Sequence, residues 1–89
     1  MTNRYRIDLS PAAERQLRKL DRQDARRLAP AIQQLAVDPR PRGYRALTGR
    51  PGEFRIRVGD WRVVYEIADR VLRVLVLVIA HRREVQRDR

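Results

Sequence analysis

At 89 residues and 43% hydrophobic content, the chain has room for one core and one domain, 1–89, because so short a polymer buries only about 60–65% of its unfolded surface. The lack of cysteine excludes disulfide and thiolate chemistry, leaving only His81 and carboxylates as metal ligands, and Val74–Ala80, the longest apolar run, is too short to cross a bilayer; a cytoplasmic protein with no metal, cofactor or membrane partner is expected. With 21 Lys+Arg against 11 Asp+Glu the formal net charge is +10, which calls for a polyanion, an acidic protein partner or a membrane surface.

Arg4 to Leu9 alternates Tyr5, Ile7 and Leu9 against Arg4, Arg6 and Asp8, the period of a half-buried strand, and Met1 to Leu9 has no apolar h-region of an export signal. Ser10-Pro11 then opens a helix, serine capping the orphan amides and proline sitting where its missing N–H costs nothing. Ala13, Leu17 and Leu20 form its apolar stripe. Asp21 or Asp24 can cap a second helix, whose Leu28, Ile32, Leu35 and Ala36 recur at spacings of three and four. Pro30 predicts a kink in that helix or a late start. Asp38-Pro39 closes it.

Arg40 to Gly52 carries two prolines and three glycines and reads as a loop studded with Arg40, Arg42, Arg45 and Arg50. Three strands follow at Phe54–Val58, Trp61–Ala68 and Val71–Ala80, with Gly59-Asp60 and Asp69-Arg70 at hairpin-turn positions. The order is β-α-α-β-β-β, an α+β fold with both helices packed on one face of a twisted, mainly antiparallel four-stranded sheet. The other face stays open.

Within Phe54–Val58 the pleat sends Arg55 and Arg57 to the side opposite Phe54, Ile56 and Val58, about 6–7 Å apart. In the next strand Val63, Tyr65 and Ile67 join the core, and hairpin pairing can bring Arg62 onto the face of Arg55 and Arg57. Clustered cations of this kind are best tolerated where an anion binds between them. Pairing with Glu53, Asp60 or Glu66 is the alternative open to each arginine. Only Lys19 is a lysine, and arginine's planar fork suits phosphate, although a GC-rich genome produces the same bias. His81, the only histidine, is the one imidazole on offer as a proton acceptor and sits beside Arg82 and Arg83. Gly49 to Gly52 is too short and wrongly flanked for a phosphate-binding glycine loop, and there is no nucleophile triad or carboxylate dyad. An enzyme built from these parts would act through arginine charge, which suits RNA because RNA supplies its own 2′-OH nucleophile.

The sequence resembles the RelE branch of the RelE/ParE toxin superfamily over nearly its whole length. The carriers are Tyr5-Arg6-Ile7, Leu9 to Ala13, Leu35-Ala36 before Asp38 to Pro41, Leu47-Thr48-Gly49, the run from Phe54 to Ile67, and His81 to Val85. The resemblance implies a toxin–antitoxin toxin that cleaves mRNA in the ribosomal A site, contacts 16S rRNA, inhibits translation and is silenced by a cognate antitoxin. Through that antitoxin the complex would bind operator DNA. It further implies that Arg55 and Arg57 hold and polarise the phosphate, Arg62 stabilises the transition state and Arg82 assists the leaving group. His81 and Glu84 are the proton-transfer groups of this reading, and Arg45, Arg50, Arg83 and Gln86 its RNA-binding residues. Gln86 departs from the pattern, since relatives commonly carry tyrosine there. The alternative is a ParE-like toxin that inhibits DNA gyrase or another topoisomerase without cleaving RNA.

Overall fold

The computed structural model describes residues 4–83. Its elements are β1 (Arg6–Leu9), α1 (Pro11–Lys19), α2 (Arg22–Gln34), β2 (Arg45–Ala46), β3 (Glu53–Val58), β4 (Trp61–Ala68), a 3-10 turn (Asp69–Val71) and β5 (Arg73–His81). The expected order holds, with one strand more: Arg45–Ala46, assigned above to loop, pairs antiparallel with β3 as a two-residue edge. The sheet runs β1-β5-β4-β3-β2, antiparallel throughout except for the parallel β1–β5 pair.

Ser10 organises one end of the molecule. Its hydroxyl accepts the Ala13 N–H at 3.0 Å, capping α1, and donates to the Leu77 carbonyl at 2.7 Å. Leu77 is the extra residue of a β-bulge, because Val64 faces Val78 while Tyr65 faces Val76. Such an insertion shifts every later side chain of the strand to the opposite face. Asp21 caps α2 by accepting the Asp24 N–H at 2.8 Å, and the helix runs on through Pro30, so the late start is corrected. The ring needs only the Arg26 carbonyl to forgo its bond, and Arg26 is exposed to water,. The β3–β4 turn is the expected two-residue Gly59-Asp60 loop, Gly59 having the positive φ (+61°) that a II′ turn places first,. Across β4–β5 the connection is longer than expected, four residues from Asp69 to Leu72, and Leu72 takes the left-handed conformation.

Ala13, Leu28, Ile32 and Leu35 from the helical side meet Ile56, Val63, Tyr65, Val74, Val76 and Ile79 from one sheet face in a single core. Tyr65 is fully buried, and its hydroxyl donates to the Pro39 carbonyl at 2.7 Å. Burial pushes its phenol up to about 12, with Tyr44 adding and Arg40 opposing. An acid whose folded pKa is raised stabilises the fold fully below its unfolded value of about 10 and loses that contribution as pH climbs toward about 12,. We therefore expect the urea midpoint of the wild type to fall across that alkaline window, and that of Tyr65→Phe to fall less steeply. At neutral pH the variant should cost about 1 kcal/mol for the lost hydrogen bond. Equal alkaline slopes would rule out Tyr65 as the titrating group.

Candidate nucleic-acid interface

The strand registers define the open face row by row. Arg45 pairs with Arg55, Arg55 with Val64, and Val64 with Val78. One step along, Arg57 pairs with Arg62 and Arg62 with Ala80. Residues directly opposite each other share a face, so Arg45, Arg55, Arg57 and Arg62 converge on the side away from the helices. Beside them Val64, Val78 and Ala80 form a small apolar strip. A cleft of about 310 Å³ opens there, lined by Arg42, Gly43, Arg45, Arg55, Ile56 and Arg57.

Among the described residues no carboxylate neutralises this cluster. Glu53 lies 3.6 Å from Arg50, and Asp60 lies 3.8 Å from Arg82. Among the described residues none lies within ion-pair distance of Arg45, Arg55, Arg57 or Arg62. Arg55 is held below the ordinary guanidinium range, first by burial and then by the positive charge of Arg57, Arg62 and Arg45. Like charges placed directly opposite across strands cost stability, so the Arg57–Arg62 pair works against the fold and suits an anion.

The remaining candidate residues scatter. Arg82 sits at the strand end, its N–H donating to the Asp60 carbonyl at 2.8 Å. The Arg83 N–H donates to His81 Nδ1 at 3.3 Å. His81 pairs in register with Trp61, and their rings meet edge-on at 5.2 Å. Because Trp61 packs toward the core, His81 lies on the face opposite Arg62, so the sheet does not bring the imidazole together with the arginines. Arg50 belongs to the loop before β3 and leans on Glu53. Glu84 and Gln86 fall outside the described residues. Arg42, absent from the expected site, lines the cleft because the Pro41–Tyr44 turn presents it there; the Pro41-Arg42-Gly43 turn signature was the available clue.

Two helices laid on one face of a mixed sheet, with a cluster of arginines on the other, define a small α+β domain with a cationic open face. The family model for the ParE toxin of type II toxin–antitoxin systems, parDE, matches residues 7–86, and the chain belongs to this family, within the RelE/ParE superfamily. It is a toxin of the type II toxin–antitoxin class. Among solved structures it is similar to the RelBE2 toxin–antitoxin complex of Mycobacterium tuberculosis, at 27% identity and TM-score 0.78, covering 91% of this chain and 93% of that one. The RelE–RelB complex of the archaeon Pyrococcus horikoshii matches at 26% identity and TM-score 0.77, covering 92% and 97%. The isolated RelE toxin of Escherichia coli, at 22% identity, TM-score 0.76 and coverage of 96% and 99%, shares the fold. No curated protein sequence matches the chain. Among the described residues no helix is long and apolar enough to cross a membrane.

Proposed function

We propose that this toxin is an endoribonuclease that cleaves mRNA in the ribosomal A site and so arrests translation. The observation that carries the reading is the unneutralised arginine quartet of the open face, with Arg57 directly opposite Arg62. Arg55 and Arg57 grip the scissile phosphate, and Arg62 meets the charge that grows on the phosphoryl oxygens as the 2′-oxygen attacks. The P–O5′ bond breaks, leaving a 2′,3′-cyclic phosphate and a 5′-hydroxyl. Arg82 stands at the strand end to offset charge on the leaving oxygen, and proton transfer is assigned to Glu84, because His81 is turned to the Trp61 side of the sheet.

The similar toxins are found in complexes with RelB antitoxins, and in the same reading a cognate antitoxin covers the arginine face of this chain and carries the complex to operator DNA. A positively charged face of this kind invites an acidic or amphipathic segment that orders on binding. The second reading, topoisomerase inhibition, is favoured by the family description itself. Primer extension on a defined mRNA in a purified translation system, alongside a gyrase supercoiling assay, separates the two. Discrete ribosome-dependent breaks are expected, whereas intact mRNA together with blocked supercoiling would replace this reading with the second.

A further inference from the structure

We infer that Tyr44 is a stacking site for a nucleobase of the RNA strand whose phosphates lie over the arginine face. The inference rests on the RNA-binding part of the function proposed above. Tyr44 is bracketed by Arg42 and Arg45, both of which line the cationic cleft. The turn that holds it is built: the Tyr44 N–H donates to the Pro41 carbonyl at 3.0 Å, and Gly43 takes a φ of +90°, the left-handed value that a type II turn reserves for glycine at this position.

Arg45 shares a face with Arg55, and Ala46 shares the other with Phe54. Tyr44 joins the Phe54 side, its ring 5.7 Å from that of Phe54 and tilted by 51°. Phe54 in turn lies 6.2 Å from Tyr65 and carries the Arg40 guanidinium at 5.9 Å. Tyr44 is thus the outermost ring of a three-ring stack. The other aromatics are engaged: Trp61 by His81, Tyr5 by a 2.6 Å hydrogen bond to Asp69, and Tyr65 by burial. At 37% exposure Tyr44 is the most solvent-exposed of the described aromatics. Strand β2 is two residues long and forms the edge of the sheet, so the ring sits at the rim, between the cleft-lining Arg42, Gly43 and Arg45 and the opposite face, where a single-stranded RNA that leaves the cleft and turns round the edge can reach it. Aromatic rings beside arginines bind bases irrespective of sequence because every base has a π face.

The test is fluorescence anisotropy with a fluorescein-labelled, 2′-O-methylated decanucleotide, which cannot be cleaved, and with its abasic counterpart. Wild type and Tyr44→Phe should bind the intact strand alike, and Tyr44→Leu, which still covers Phe54, should bind about tenfold more weakly. The abasic strand should bind wild type about as weakly as the intact strand binds Tyr44→Leu. If Tyr44→Leu matches wild type, or if wild type binds both strands equally, the stacking site is refuted while RNA binding stands. Wild type that binds no RNA refutes both, and binding without ribosomal cleavage leaves the stacking site in place and removes only the ribonuclease.

Discussion

Arg62→Ala is expected to lower mRNA cleavage by about 10²–10³-fold, the usual cost of removing one preorganised donor to transition-state charge. The residue stands opposite Arg57 and one row from Arg55, so its loss removes the cation on the inner side of the cluster without opening a cavity. Removing one of two opposed arginines also relieves repulsion. The melting temperature should therefore hold or rise slightly, and affinity for the antitoxin should remain measurable. That combination, intact fold with lost cleavage, separates a chemical role from a structural one. Undiminished growth arrest by Arg62→Ala would remove the arginine from the mechanism.

Leu28→Ala should act through the fold instead. Leu28 is fully buried on α2 and belongs to the core that joins the helices to the sheet. Truncating it costs the transfer of its methyl groups plus the cavity left behind, about 2–5 kcal/mol. Against a total stability of about 5–15 kcal/mol, with small domains toward the low end, this is a large fraction. Urea titration followed by Trp61 fluorescence should show a lower midpoint with an unchanged slope. In cells this variant would also fail to arrest growth, but through low abundance, whereas Arg62→Ala would accumulate normally. A midpoint equal to wild type would show that the helix packing is redundant at this position.

Much of this architecture was legible in the sequence because it follows local periods. The alternation of Tyr5, Ile7 and Leu9, the stripe of Leu28, Ile32 and Leu35, and the opposition of Ile56 to Arg55 and Arg57 each encode a face directly. Other features depend on non-local contacts. Arg45–Ala46 is too short to carry a strand period, and it becomes a strand only because β3 offers an edge. Pro30 is tolerated because its helix is held by the core through Leu28 and Ile32. The largest gap concerns His81. An uninterrupted alternation in β5 would have placed it beside Arg62, and the bulge at Leu77, anchored from afar by Ser10, turns it to the Trp61 side. An apolar run such as Val74–Ala80 has no polar marks from which that change of phase could be read.

The Arg57–Arg62 opposition has a bearing on how the domain responds to its ionic surroundings. Mobile anions shield the two guanidinium groups from each other, so added salt strengthens the isolated fold at this point. The same anions compete with phosphates for those groups, so added salt loosens the grip on RNA. The free domain and its complex thus respond to ionic strength in opposite senses, and a bound polyanion does for the sheet what concentrated salt does from solution, supplying counter-charge that no described residue brings to this pair.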